Sequence, residues 1–324
     1  MKKTITVLLL VTLLVSACNL STSATPTRPA PGPVTGSPQS IVSSTPEMGP
    51  GSLPPSGLMP AEAENTFWVT NPSSGARLYT RVYYPANWNG AELLPALVLM
   101  PGGIGTSDPQ NAARLSGEGF IVIIFDADGR GRSEGTEDYN GFITQDGLAA
   151  VIVAAAQLPG LDTARYGLVS YSYGVTAATG ALARYPAMPI KFYIDWEGPV
   201  DRNYTTTGCG ENRAEGIQWQ PCSDNAWWAE REAVNFITDV NVPYQRIQSE
   251  EDHVQPNNNH AIDIINAAVA NGVPWVRLNN YPPDQTYDIN NPPVMIPERQ
   301  DRMLEKTVAE YATYIIENAL PGLP

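Results

Sequence analysis

The short stretch Ser170-Tyr171-Ser172-Tyr173-Gly174 holds the serine best placed for nucleophilic chemistry. An apolar run, Tyr166–Ser170, leads into it and predicts a buried strand, and a helix of small residues begins near Tyr173. A residue at such a sharp corner is raised above the edge of the sheet, with its hydroxyl over the N-terminus of the next helix. The corner therefore predicts Ser172 as a nucleophile, and the alternative is an inert serine in a tight turn.

Strand-like and helix-like segments alternate along the chain around this corner. Continuous apolar runs such as Pro95–Met100 and Phe120–Phe125 are typical of strands buried on both faces of a parallel sheet. The other predicted strands are the hairpin Thr66–Thr70 with Leu78–Tyr84, and Ile190–Trp196, Tyr244–Gln248 and Trp275–Leu278. The predicted helices are Gln110–Ser116, Ile143–Leu158, Asn258–Ala270 and Glu298–Asn318. This alternation predicts an α/β fold with a doubly wound, mostly parallel sheet.

Three local patterns occur in the order in which one known family carries them. Gly102-Gly103-Ile104 follows a predicted strand, Asp128–Gly135 follows the next one, and Val169–Gly174 surrounds the corner serine. From about Leu78 onward the chain therefore resembles the α/β-hydrolase family, in particular its dienelactone-hydrolase and esterase-like members. The corner departs from the usual Gly-x-Ser-x-Gly pattern because Ser170 replaces the first glycine.

The resemblance implies a serine hydrolase of carboxylesterase type acting on a small ester-like molecule. Ser172 would attack the carbonyl, and the oxyanion of the intermediate would lie between the N–H of Tyr173 and that of Gly103 or Ile104. We expect no cofactor and no metal ion. The serine still requires a base to take its proton, and the base requires a carboxylate to orient it.

The family pattern locates the acid but not the base. The family places the acid after the seventh strand, which implies Asp252, and a solvated acidic turn is the alternative. The family's base is a histidine after the last strand, but the corresponding loop, Asn279–Asp288, contains none. The chain has only two histidines, His253 and His260, and both follow the predicted strand Tyr244–Gln248.

A displaced histidine can still reach the nucleophile in the family's strand order. The strand before the two histidines lies two places from the nucleophile strand, about 10 Å at ordinary strand spacing. Either histidine would then pair with Asp252, or with Asp195 or Glu197 from the strand between. Because the side chains of adjacent residues point apart unless the turn is tight, His260 is slightly preferred to His253 as the base.

The N-terminal segment resembles an export signal. Residues 1–18 combine two lysines, a short apolar run and small residues before Cys18, and the run is too short for a spanning helix. Val15-Ser16-Ala17-Cys18 resembles the lipobox of bacterial lipoproteins, and an ordinary signal peptide is the alternative. Residues 19–62 are rich in Ser, Thr and Pro and predict a disordered tether. We therefore expect a globular domain, residues 63–324, held outside the cytoplasm at the cell envelope by a lipid anchor.

An insertion of about residues 202–232 interrupts the alternation and predicts a cap over the sheet. It holds Cys209 and Cys222, the two cysteines that remain if Cys18 is lipidated. In an exported protein such a pair most simply forms a disulfide. The insertion also carries three tryptophans, Trp219, Trp227 and Trp228. They favour an alternative function, a non-catalytic binding module on a hydrolase scaffold.

The charge balance excludes some partners. The chain has 33 acidic and 19 basic residues, a formal net charge of −14. This argues against nucleic acid and against electrostatic attachment to anionic lipid, so that membrane contact would come from the anchor alone. A calcium-stabilised structural protein of the envelope is a further alternative. Its acidic candidates lack a regular ligand spacing, and they are Asp195, Glu197, Asp201, Glu250 and Asp252.

Overall fold

The computed structural model places nine strands of the described residues in one sheet. The described residues are 53, 57–204, 209, 220–297 and 304–323. The strands are β1 (Met59–Pro60), β2 (Thr66–Thr70), β3 (Arg77–Tyr83), β4 (Leu94–Met100), β5 (Ile121–Phe125), β6 (Leu161–Tyr171), β7 (Phe192–Trp196), β8 (Tyr244–Ile247) and β9 (Val276–Leu278). Their order is β1-β2-β3-β5-β4-β6-β7-β8-β9. The first three pairs are antiparallel and the remaining five are parallel.

Helices cover both faces of this sheet. One core contains α2 (Phe142–Ala155), α3 (Gly174–Arg184) and α6 (Asn259–Ala270). The core on the opposite face contains α1 (Pro109–Gly117) and α7 (Leu304–Asn318). Two short helices, α4 (Asn225–Ala229) and α5 (Ala233–Phe236), precede β8. The mostly parallel sheet with helices on both faces confirms the predicted fold class.

The central strands are buried because both of their faces are covered. Every residue of β5 is buried, and β4 is buried from Ala96 to Met100. Such strands consist of continuous apolar residues, since neither face needs to meet water. α2 is buried almost all round and is correspondingly apolar over most of its circumference. The continuous apolar runs in the sequence thus correctly predict which elements are covered on both faces.

Most element boundaries differ from the sequence prediction by one to three residues, and the start of β6 differs by five. β6 begins at Leu161 instead of Tyr166, because its first residue pairs with Leu94 beyond a shift in register against β4. α7 was predicted from Glu298, and its described part begins at Leu304. Residues 298–303 lie outside the described part of the chain.

The parallel strands bring three chain segments to one edge of the sheet. β6, β7 and β8 lie side by side, and their carboxyl ends point the same way. Ser172 directly follows β6, Glu197 directly follows β7, and His253 lies in the loop after β8. The strand before the two histidines is therefore two places from the nucleophile strand, as the family order predicts.

The predicted disulfide is present between Cys209 and Cys222. Much of the predicted insertion, including Trp219, lies outside the described residues. Trp228 is fully buried and its Nε1 donates to Pro221 O at 3.0 Å, so it cannot serve as an exposed platform. Trp227 is only partly buried and lies under the Arg231 guanidinium, 4.2 Å from the ring centroid.

The N-terminal predictions fall mostly outside the described residues. These include the signal segment 1–18, Cys18 and all but a few residues of the predicted tether. At the end of that tether, Met59 and Pro60 pair with β2, so the sheet begins before residue 63. Among the residues that the structure describes, no helix combines the length and apolar character needed to cross a membrane.

Candidate active site

Ser172 stands at the corner between β6 and α3 in a left-handed backbone conformation, with φ +48°. For a residue with a side chain this conformation costs about 1–2 kcal/mol, so the surroundings must impose it. Two glycines allow the close packing. A Cβ on Gly102 would lie 2.9 Å from Ser172 Cβ, and one on Gly174 would lie 2.6 Å from Pro101 O. The corner thus presents Ser172 at the carboxyl edge of the sheet.

Ser170 occupies the position at which the usual motif has its first glycine. It is fully buried, and its hydroxyl lies 2.6 Å from Tyr193 Oη and 3.4 Å from Asp195 Oδ1. Both partners belong to the neighbouring strand β7. Because the buried hydroxyl is hydrogen-bonded, a serine is tolerated at this position.

His253 is the histidine that contacts the serine. Its Nε2 lies 2.9 Å from Ser172 Oγ, a distance that allows transfer of the hydroxyl proton. The imidazole stacks on Trp196, with 4.5 Å between ring centroids, and this contact restricts rotation of the ring. The side chain retains 13% exposure, so the ring is held in place but remains open on one side.

Glu197 is the carboxylate nearest to that imidazole. Its Oε2 lies 2.9 Å from His253 Nδ1 and also accepts the backbone N–H of His253 at 3.1 Å. Its Oε1 accepts the backbone N–H of Ser249 at 3.0 Å. The side chain is fully buried. Three donors therefore fix the carboxylate, which in turn fixes the orientation of the imidazole.

A tight turn accounts for the position of His253. Asp252 Oδ1 accepts the backbone N–H groups of Val254 and Gln255 at 2.8 and 2.7 Å, which closes the turn on the Asp252 side chain. The same oxygen lies 3.5 Å from His253 Nδ1. This is longer than the contact from Glu197, so the geometry corrects the prediction of Asp252 as the orienting acid.

His260 lies away from the nucleophile, and this corrects the preference for it as the base. The side chain is fully buried near the start of α6. Its Nε2 lies 3.1 Å from Asp252 Oδ2, and its Nδ1 lies 3.0 Å from Gly198 O. Both ring nitrogens are therefore engaged below the sheet edge. The physical reason is that His260 is the second residue of α6 and belongs to the buried residues of that helix.

The Asp252 carboxyl is held in its charged form. Burial by itself would raise its pKa, but hydrogen bonds from His260, the backbone of Gln255 and the side chain of Gln248 outweigh burial and hold the pKa below its usual range. Asp252 thus stabilises the turn that carries His253. It holds His260 on one side and the loop of His253 on the other.

Sequence inspection missed the buried arginine beneath this turn. Arg246, in β8, is fully buried and forms an ion pair with Asp195 through Nη1. Its Nη2 lies 2.8 Å from Gln248 Oε1 and 3.1 Å from His260 Nδ1. A charged residue within a strand that the topology buries is a signal for such a network, because an unpaired buried charge is costly. The network connects β7 and β8 below the proposed site.

The predicted oxyanion donors lie in two segments that meet beside Ser172. Tyr173 immediately precedes α3. Gly103 and Ile104 belong to the loop after β4, whose Gly102 packs against Ser172. Gly103 adopts φ +55°, a left-handed conformation that favours glycine. The two segments are adjacent, which is the arrangement that an oxyanion hole requires.

One group of ligand-type side chains in the described residues lies at the site. Atoms of Glu197, Asp252 and His253 lie within 4.8 Å of one another. The Glu197 carboxylate, however, already accepts three N–H donors, and His253 Nε2 faces the serine. Asp195, a further candidate for calcium, is paired with Arg246. The arrangement fits a hydrogen-bonded relay better than a cation site.

No protein-family model and no curated protein sequence matches the chain. Solved structures match over about three quarters of it. Dipeptidyl peptidase 4 of Porphyromonas gingivalis has a TM-score of 0.56 and 19% identity over 74% of this chain and 33% of its own. Est1E from Butyrivibrio proteoclasticus, with ferulic acid bound, has a TM-score of 0.54 and 16% identity, covering 75% of this chain and 96% of Est1E. Acylaminoacyl peptidase of Pyrococcus horikoshii has a TM-score of 0.51 and 13% identity, covering 74% and 39%.

These similarities concern the fold. The chain spans about a third of the peptidases that it matches and almost the whole of the esterase. The matched proteins share the mostly parallel sheet with flanking helices, and the elements described above follow the same plan. The chain therefore has the α/β-hydrolase fold.

Proposed function

We propose that this protein is a serine hydrolase that cleaves ester-like bonds with the triad Ser172, His253 and Glu197. The observation that carries the proposal is the continuous hydrogen-bond chain from Ser172 Oγ through both ring nitrogens of His253 to Glu197 Oε2, with each step at 2.9 Å. Nucleophile and orienting acid are thus linked through the base. An inert corner serine has no need of this chain.

The triad supports acyl transfer in two steps. His253 Nε2 takes the hydroxyl proton as Ser172 Oγ attacks the carbonyl, and Glu197 stabilises the imidazolium through Nδ1. The imidazolium then protonates the leaving alcohol, which departs as the C–O bond breaks and the acyl-serine remains. A water molecule, deprotonated by His253, attacks the acyl-serine; the bond to Ser172 Oγ breaks, the imidazolium returns its proton to that oxygen, and the acid is released. The N–H groups of Tyr173 and of Gly103 or Ile104 would hold the oxyanion.

Exposed apolar side chains beside the triad support an ester with apolar substituents. Ile104 belongs to the loop whose Gly102 packs on Ser172, and it is 41% exposed. Val254 follows the proposed base and is 46% exposed. Exposed apolar side chains next to the oxyanion loop and to the base favour substrates that cover them. The structural similarity to peptidases makes amide substrates the natural comparison in any assay.

A fluorophosphonate probe tests this proposal. Reaction requires an activated serine, so the probe should label the wild type at Ser172 and should leave Ser172→Ala, His253→Ala and Glu197→Gln unlabelled or slowly labelled. Peptide mapping identifies the labelled residue. If the wild type is not labelled and a broad panel of esters shows no turnover above Ser172→Ala, the alternative of a binding module takes the place of the hydrolase.

We further propose that the hydrolase domain is attached to the cell envelope through a lipid on Cys18. The support is the lipobox-like Val15–Cys18 and the Ser, Thr and Pro-rich stretch that follows it. A single anchor and a long tether would keep the site near the membrane surface, where hydrophobic esters accumulate. This proposal is independent of the triad.

A further inference from the structure

Asn140 is a fully buried residue that touches both segments expected to form the oxyanion hole. Its Nδ2 donates to Tyr173 O at 2.9 Å and lies 3.5 Å from Gly103 O. Tyr173 belongs to the corner after β6, whereas Gly103 belongs to the loop after β4. One amide group therefore adds a direct side-chain link between two parts of the chain that strand pairing and the packing of Gly102 already bring side by side.

The surroundings of Asn140 select a carboxamide. Its Oδ1 accepts a hydrogen bond from Arg130 Nη2 at 2.8 Å, and Arg130 is itself held by two 2.7 Å hydrogen bonds to Glu137. The side chain must accept on the arginine side and donate on the side of the two carbonyls. An aspartate accepts on both sides and cannot make this arrangement.

The backbone at this position is also specialised. Asn140 has φ +64° and the preceding Tyr139 has φ +52°. Asparagine is among the few non-glycine residues that tolerate this region, whereas a tyrosine there is strained. The Asn140 carbonyl lies 3.3 Å from Gln145 Nε2. Strained residues held by buried hydrogen bonds are common where a structure fixes a functional geometry.

We propose that Asn140 is a positioning residue that sets the geometry of the oxyanion hole, and this inference rests on the hydrolase function proposed above. Because a peptide unit is planar, holding Gly103 O also fixes the direction of the Ile104 N–H. Holding Tyr173 O anchors the first turn of α3 beside Ser172. The amide thus keeps the donors of both segments in register without touching the substrate.

The test compares Asn140→Gly with Asn71→Ala on a short-chain activated ester. Glycine tolerates the left-handed backbone and removes only the amide. Asn71 is the matched control, because it is also fully buried and its Nδ2 donates to Asp128 Oδ2 at 2.7 Å and Ile143 O at 2.9 Å, away from the triad. Asn140→Asp, which keeps the shape but opposes the carbonyls, is the second variant if Asn140→Gly does not fold.

We expect Asn140→Gly to lower kcat by about 10–100-fold with KM changed by about twofold or less, since oxyanion stabilisation acts in the transition state. Asn140→Asp should lose at least as much, and Asn71→Ala should keep its kcat despite a lower Tm. Equal losses of kcat in Asn140→Gly and Asn71→Ala would overturn the inference. So would an effect of Asn140→Gly on KM alone.

Amide hydrogen exchange provides a readout that does not need turnover. In Asn140→Gly, peptides covering residues 102–105 and 172–176 should both exchange faster than in wild type, and in Asn71→Ala they should not. Unchanged exchange in either segment contradicts the proposal that Asn140 holds the two segments together. If the wild type has no esterase activity at all, the hydrolase proposal fails by itself, and the exchange result alone decides whether Asn140 joins the two segments.

Discussion

Ser172, Glu197 and Asn279 each stand immediately after a parallel strand with a left-handed backbone, at φ values of +48°, +48° and +47°. Each conformation costs about 1–2 kcal/mol for a residue with a side chain. At the first two positions the side chain belongs to the proposed triad. At the third, where the family carries its base, Asn279 instead ties the end of β8, with Nδ2 donating to Gln248 O at 2.9 Å and Oδ1 accepting Gln248 N at 2.9 Å.

The two histidines should separate cleanly by mutation. His253→Ala removes the proposed base, which contacts Ser172, and should lower kcat for ester hydrolysis by about 10³-fold or more. His260→Gln should retain most of the turnover and lose stability instead, because its fully buried ring supports Asp252. Steady-state kinetics and thermal unfolding of both variants check this. Loss of turnover in His260→Gln with an active His253→Ala would reverse the assignment.

The orienting acid makes a second prediction at this scale. Glu197→Gln keeps the shape of the side chain but removes the charge opposite His253 Nδ1, and kcat should fall by about 10²–10⁴-fold. Asp252→Asn should reduce kcat less, because its oxygen is 3.5 Å from that nitrogen and is engaged with the turn. The comparison is made at one saturating substrate concentration. A larger loss in Asp252→Asn would restore Asp252 as the acid.

At the scale of elements, the sequence predicted the sheet well and the site only in outline. Continuous apolar runs such as β5 report burial by themselves, so the strands were predictable. The choice between His253 and His260 was not, because it depends on the turn that Asp252 closes through backbone hydrogen bonds. Glu197 was one of three candidate acids, and its selection depends on a left-handed residue at a strand end. Asn140 belongs to no motif and becomes visible only through its tertiary contacts.

The loop after β8 should respond to acid through Asp252. Its pKa in the folded protein lies below the usual value of about 3.9, so the charged form contributes stability above that pH. This contribution is lost as the pH falls from about 4 towards the lower pKa of the folded state. Asp252→Asn should therefore lower the free energy of unfolding by about 1–3 kcal/mol at pH 7 and by less at pH 3. Urea unfolding at pH 7 and at pH 3 measures the difference in unfolding free energy between wild type and Asp252→Asn. If this difference is not smaller at pH 3, the stabilising role of the carboxylate is contradicted.

At the scale of the whole molecule, the domain and its attachment are separate features. The formal net charge of −14 disfavours adsorption to anionic lipid. Attachment would therefore depend on the anchor and not on the surface of the domain. The fold itself does not depend on the anchor or on the tether, since its two cores lie on opposite faces of one sheet within the described residues.

Replacing Cys18 by serine tests the attachment. Because the proposed lipid is carried on that sulfur, Cys18→Ser should move the protein from the membrane fraction to the soluble fraction while esterase activity per molecule stays the same. Fractionation followed by immunoblotting measures the change, and mass spectrometry of the wild-type N-terminal peptide should show the added acyl mass. A Cys18→Ser protein that is still processed normally and remains in membranes after a salt wash would place the anchor elsewhere.

The contact between Ser172 and a histidine 81 residues further along the chain has a consequence for how such proteins are recognised in genomes. A search profile that demands a histidine near the C-terminus would sort this chain among degenerate, inactive copies. A profile that instead looks for a serine, an acidic residue and a histidine after three consecutive strands would retrieve it. In chains that lack the terminal histidine, the place to look for one is the loop after the preceding strand. An acidic residue directly after the strand that neighbours the nucleophile strand would complete the same arrangement.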